Sequence, residues 1–177
     1  MEDYIREYDG VLSQLECIQF RRFFHKYELT KRETDTYSFD ELNISQTFPK
    51  EISYGIYNKL RFYIEQYKKD CDIDSSMFPE KSGFEELRMK RYIKQKDSFK
   101  EHVDVGNYAS ARRFLVCMIY LNTVEEGGST YFTKNKKHIR TQAGKLLIFP
   151  SIWTHPHTGT IPESSDKYIL STYCHYL

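Results

Sequence analysis

A chain of 177 residues suits a single domain, 1–177, because one hydrophobic core of this size buries most of its surface unaided. Its 26 Lys and Arg against 25 Asp and Glu leave a formal charge of +1, which argues against a nucleic-acid partner or an anionic membrane surface. No apolar run approaches the roughly 20 residues that cross a bilayer.

The opening MEDYIREYDG lacks the basic start and apolar run of a signal peptide, and Cys17, Cys71, Cys117 and Cys174 form no C-x-x-C pair. The expectation is a monomer in a reducing, cytoplasmic compartment. Apolar residues then recur with helical spacing. Val11, Leu15, Ile18 and Leu12, Phe20, Phe23, Phe24 predict a helix over about 9 to 27, and Ile56, Leu60, Tyr63, Ile64, Tyr67 predict another over about 49 to 70, after Pro49. Residues 1–86 are thus read as a helical layer. Beyond residue 85 the pattern changes to short β-rich runs: LRMKRYI, SFKEHVDV, RRFLVCMIYL, STYF, KLLIFP and KYILSTYCHY. Turn signals such as EEGG, QAGK and PESSD separate them, and the basic KNKKHIR (134–140) reads as a solvated hairpin tip. The predicted class is α+β: a jelly roll, or double-stranded β-helix, over 87–177, with the N-terminal helices on the outside of its larger sheet.

Within SFKEHVDV, His102 and Asp104 stand two apart. On a strand, such residues share one face with Cα atoms about 7 Å apart, so an imidazole and a carboxylate can approach one cation. Alone this spacing says little, since chance supplies about one H-x-[DE] match in a chain of this composition. A second histidine would complete a two-histidine, one-carboxylate face with open positions, the arrangement of non-haem Fe(II) oxygenases. His155 and His157 in SIWTHPHTG both offer one, and Lys167 opens the last strand ten residues past His157. In that strand Lys167, Ile169, Ser171 and Tyr173 share one face, and Tyr168, Leu170, Thr172 and Cys174 the other. His25, His138 and His175 have no partner at ligand spacing.

RYIKQKDSFKEHVDVG, RRFLVCMIYLN, EEGGSTYF, AGKLLIFPSIWTHPHTG and KYILSTYCHY follow one another in this order. In this ordered set the chain resembles the iron(II)- and 2-oxoglutarate-dependent dioxygenases, and among them the prolyl 4-hydroxylase group, over about 87–177. The resemblance implies His102, Asp104 and His157 as iron ligands, since His157 carries the following T-G and the lysine ten residues on. His155 becomes a rim residue supporting a ligand or touching substrate. Lys167 would pair with the distal carboxylate of 2-oxoglutarate, Tyr92 and Tyr120 match tyrosines that hydrogen-bond it, and Thr130 matches the threonine near the same pocket. Arg113 matches a strand-opening arginine that faces substrate, while Tyr173 stands where many prolyl hydroxylases carry tryptophan.

The loop VGNYASARR (105–113) is expected to close over substrate. The implied reaction is hydroxylation of a peptidyl proline, with 2-oxoglutarate decarboxylated to succinate and ascorbate as reductant. The alternatives are a hydroxylase of a free amino acid or other small substrate, and a non-catalytic jelly-roll metal-binding module.

Overall fold

A computed structural model describes residues 3–177. In chain order the elements are β1 (Arg6–Tyr8), α1 (Gln14–Phe24), β2 (Thr30–Glu33), β3 (Ser38–Asn43), α2 (Ile44–Thr47), α3 (Lys50–Asp70), β4 (Ser82–Phe84) and β5 (Arg88–Tyr92). They continue with β6 (Phe99–His102), β7 (Arg113–Tyr120), β8 (Thr130–Phe132), β9 (Lys137–Ile139), β10 (Leu146–Pro150), β11 (His157–Gly159) and β12 (Lys167–Tyr176). Two antiparallel sheets result. The larger runs β1-β10-β7-β12-β5-β3-β2, with β4 also paired to β12, and the smaller runs β6-β11-β8-β9. This is the expected jelly roll. Among the described residues no helix is long and apolar enough to cross a membrane.

Strand alternation sorts the core into two compartments. Met89, Cys117, Ile119, Leu146, Ile148 and Leu170 turn outward and pack under the helices, where Ile56, Leu60, Ile64 and Tyr67 of α3 meet them. Tyr92, Val116, Met118, Tyr120, Leu147, Phe149 and Ile169 turn inward with Phe132 and Ile139 of the small sheet. The two faces of β12 separate as its alternation predicts: Ile169 and Tyr173 inward, Tyr168, Leu170 and Cys174 outward. The helical stripe of α3 likewise falls where periodicity puts it.

Residues 1–86 are not a purely helical layer. They contribute β1, β2, β3 and β4 to the large sheet, and α1 is shorter than 9 to 27. Ser13 caps α1, its hydroxyl accepting from Glu16 N–H while the Glu16 carboxylate accepts from Ser13 N–H, so the helix begins only there. Val11 and Leu12 are buried by another device: both amides donate to Gly144 O, whose residue holds φ +81° in the turn before β10. At Gly144 a Cβ would collide with Leu12 O. The strands were hidden for physical reasons. β2 is TKRE, wholly exposed at the sheet edge, and β3 carries Asp40 and Glu41 among its buried residues, held by ion pairs to Arg91 and Arg32.

Candidate active site

His102 ends β6 and His157 opens β11, and these residues face each other in the antiparallel register. Both imidazoles therefore stand side by side, ring centroids 4.3 Å apart. Asp104 arrives differently from the expectation of a shared strand face. β6 stops at His102, and the chain turns so that Asp104 and Val105 amides both donate to Ser151 O. The turn, not the pleat, brings the carboxylate in. One ligand atom each from His102, Asp104 and His157 lies within 4.8 Å of the others.

The hydrogen bonds around this triad fix which atoms are free. His102 Nδ1 donates to Lys100 O at 2.8 Å and His157 Nδ1 to His155 O at 3.0 Å, which leaves the Nε2 lone pairs of both rings available. Asp104 Oδ1 accepts from the Tyr173 hydroxyl at 2.7 Å, while buried Oδ2 has no hydrogen-bond partner among the described residues. It faces His157 Nε2 at 3.6 Å. Two potential ligand atoms so placed match a cation's requirement, and an N,N,O donor set with an open side suits Fe(II). Burial, and then the neighbouring His157, pushes the His102 imidazole down to about 4, so at neutral pH it is already in the unprotonated form that a metal binds. Phe99 stacks on the His102 ring at 3.5 Å.

His155 does not join them. Its side chain is buried rather than at a rim, with Nε2 donating to Asp3 O at 2.7 Å and Thr154 Oγ1 at 2.8 Å from Nδ1. It meets the site through its own carbonyl, which orients His157, and through the edge of its ring on Phe132.

A narrow cavity runs from the triad into the barrel, lined by Tyr92, Thr130, Met118, Phe149, Ile169 and Lys167 among others. Lys167 is buried at its floor with its ammonium 5.7 Å from the Tyr92 ring centroid and 5.3 Å from that of Tyr120. It forms no hydrogen bond or ion pair among the described residues. Burial alone pushes it down to about 7. Such an ammonium is matched to a carboxylate that would bring its own charge. Tyr120 is fully buried beside Lys167, its hydroxyl 2.8 Å from Thr130 Oγ1. Desolvation pushes both Tyr92 and Tyr120 well above the ordinary phenol range, so they act as neutral hydroxyls.

Outside the triad a groove of about 420 Å³ opens between Tyr37, Phe39 and Phe99 on one side and Glu85, Arg88 and Arg113 on another. Arg113 reaches it with its guanidinium already engaged: two 2.8 Å bonds to Glu85, one of 3.2 Å to Asp104 O, and a stack on Tyr173 at 3.9 Å. Tyr173 lines both cavity and groove, and its hydroxyl is aimed at Asp104.

The sequence model of the 2OG-Fe(II) oxygenase superfamily matches residues 87–175, half of the chain. The chain belongs to this superfamily. Its iron(II) and 2-oxoglutarate are thereby the cofactor and co-substrate of the chain's family. No curated protein sequence matches at significance. Among solved structures, the viral collagen prolyl hydroxylase of Paramecium bursaria Chlorella virus-1, in complex with 2-oxoglutarate, superposes with TM-score 0.73 at 20% identity, covering 98% of this chain and 97% of that one. A Pseudomonas putida prolyl-4-hydroxylase gives 0.73 at 16% identity, covering 99% and 94%. A Trichoplax adhaerens prolyl hydroxylase bound to a hypoxia inducible factor oxygen degradation domain peptide gives 0.74 at 16%, covering 98% and 84%. The oxygenase fold thus extends over the N-terminal half, where the superfamily match does not reach.

Sequence reasoning missed several residues of this oxygenase site, its aromatic walls among them. Phe99 stacks on His102 from three positions earlier, Glu85 anchors Arg113, and Lys90 lines both cavity and groove. Glu85 lay in the half read only as packing. For Lys90 the available signal was strand alternation with Tyr92.

Proposed function

We propose that this oxygenase is a prolyl 4-hydroxylase acting on proline within a peptide, with ascorbate as the reductant that keeps iron ferrous. The observation carrying the reading is the convergence of His102, Asp104 and His157 in the same cavity that has the unpaired Lys167 at its floor. In the proposed site these three residues hold Fe(II), which with 2-oxoglutarate and dioxygen supplies an oxidant for an unactivated C–H bond, yielding succinate, carbon dioxide and hydroxylated product. Lys167 binds the distal carboxylate of 2-oxoglutarate by a charge-assisted contact, with Tyr92 and Thr130 beside it. Tyr120 acts through Thr130 by orienting that hydroxyl. Tyr173 holds Asp104 by Oδ1, leaving Oδ2 as the atom that would bind the metal. Phe99, Phe132 and Phe149 pack around the ligand histidines and exclude water.

The groove supports a peptide. Tyr37, Phe39 and Phe99 form an aromatic wall beside the triad, with Tyr37 and Phe39 stacked at 5.1 Å, a surface suited to a proline ring. The prolyl hydroxylases among the structural neighbours, one with a peptide, support the same substrate class. The loop at 105–113, whose turn is capped by Asn107 and whose Tyr108 is exposed, is proposed to close over that peptide.

The test loads the protein anaerobically with Fe(II), admits air and follows succinate from 2-oxoglutarate together with a 16 Da mass gain on proline peptides. Succinate without any peptide product, but with a hydroxylated free amino acid, replaces peptidyl proline by a small substrate. Metal retention with no succinate at all removes the enzymatic reading.

A further inference from the structure

Lys90 lies on β5 between Arg88 and Tyr92, and alternation turns all three to the inside of the sheet. Their partners on β12 make a ladder: Tyr92 opposite Lys167, Lys90 opposite Ile169, Arg88 opposite Ser171. Lys167 is at the floor, so Lys90 stands two residues, about 7 Å, nearer the mouth. It lines both the deep cavity and the outer groove.

The acids around it already have partners. Glu41, opposite Lys90 on β3, is bound by Arg32 at 3.2 Å. Glu85 holds Arg113, and Glu86 receives Asn43, Gln46 and Arg88. Asp104 belongs to the triad. Lys90 itself forms no hydrogen bond or ion pair among the described residues, and its ammonium rests 4.8 Å from the Phe39 ring centroid. Glu41 and Asp104 act on this half-buried ammonium only from a distance, without an ion pair or hydrogen bond to it, so its desolvation is compensated only in part. No carboxylate of the described residues forms an ion pair with it, while the aromatic wall next to it offers a seat for an apolar ring.

We propose that Lys90 is a specificity-determining residue that pairs with a carboxylate of the substrate adjacent to the ring that is hydroxylated. The two inward lysines then divide two carboxylates, that of 2-oxoglutarate on Lys167 and that of the substrate on Lys90. This inference deepens the proline hydroxylase reading and rests on it. The carboxylate has two sources, the side chain of an acidic residue beside an internal proline or the α-carboxylate of a terminal one.

The test is calorimetric titration of the protein loaded with Mn(II) and 2-oxoglutarate. One pair of probes is a terminally blocked peptide with Glu next to Pro and its Gln counterpart; the other is a peptide ending in free proline and its proline amide. In one pair the acid is expected to bind about 10-fold or more tighter than its amide, the worth of a hydrogen bond between charged groups. The pair that shows it identifies the source. Lys90→Met brings that ratio close to one, and Lys90→Glu favours a Lys-Pro peptide over the Glu-Pro peptide. Equal binding within both pairs overturns the proposal, as does a ratio that survives in Lys90→Met. A Lys90→Met variant that weakens 2-oxoglutarate instead, with the acid preference intact, also overturns it. If the acid preference and its loss are found but Fe(II) and air yield no hydroxyproline, the carboxylate assignment stands and the proline reading falls.

Discussion

Replacing Lys167 by Met separates what the lysine costs the fold from what it does for the co-substrate. The methionine keeps most of the stem and removes the ammonium. In the folded protein this ammonium titrates at about 7 rather than its ordinary 10.5 because it is buried without an anion. At about 1.4 kcal/mol per pH unit, that difference sets an upper limit of roughly 5 kcal/mol on the destabilisation by the charge. The sign follows from proton counts. Between pH 7 and 10.5 the unfolded chain holds the proton that the folded one has released, so the penalty is complete below pH 7 and fades as pH rises through that window.

Without 2-oxoglutarate, Lys167→Met is therefore expected to melt higher than wild type at pH 6.5, by up to about 10 °C for a domain of this size. The gap should narrow toward pH 10. With 2-oxoglutarate the gap narrows: ligand raises the wild-type melting temperature much more than that of the variant, because loss of a buried charged contact weakens binding by about 100-fold or more. Wild-type affinity should also fall about tenfold per pH unit above the lysine's own titration, near pH 7. Differential scanning fluorimetry across pH, with and without 2-oxoglutarate, reads all of these. A variant that melts lower than wild type at pH 6.5 and responds to 2-oxoglutarate as much as wild type does would refute the reasoning.

Tyr173→Phe removes the hydrogen bond to Asp104 Oδ1 while keeping the ring under Arg113; Mn(II) affinity by calorimetry should drop about tenfold, with the melting temperature little changed. Unaltered affinity would show that Asp104 needs no such orientation. The two neighbouring histidines should part company. His157→Ala is expected to weaken metal binding by about 100-fold or more. His155→Ala keeps the carbonyl that orients His157 and should retain the metal, yet lose about 1–3 kcal/mol of stability in urea with the bond to Asp3 O. Equal metal loss in both would undo the ligand assignment. Gly144→Ala puts a Cβ against Leu12 O at a positive φ and should destabilise by about 2 kcal/mol or more, measured by the same unfolding; a neutral result would mean that the Val11–Leu12 turn contributes little.

Much of this protein was legible one residue at a time. The apolar spacing of α3 needs only the 3.6-residue period, and the two faces of β12 need only the period of two, because burial selects one face and both periods are fixed by backbone geometry. The ordered motifs from Tyr92 to Lys167 marked the residues that the fold gathers. β1, β2 and β3 were not legible, since an edge strand such as TKRE is held by hydrogen bonds to β3 that no pattern of side chains announces, and buried Asp40 contradicts alternation until Arg91 is placed opposite it.

The sequence by itself thus determined the fold class, the superfamily and the short set of chemically competent residues, because these depend on local periodicity and on the order of motifs along the chain. The tertiary structure alone decided how they meet. It carried Asp104 in on a turn rather than a strand, sent His155 to Asp3 and His157 to the triad, tied Arg113 to Glu85, and left Lys90 facing the groove without an ion pair among the described residues. Each of these depends on what lies opposite a side chain across space, which spacing along one chain does not encode.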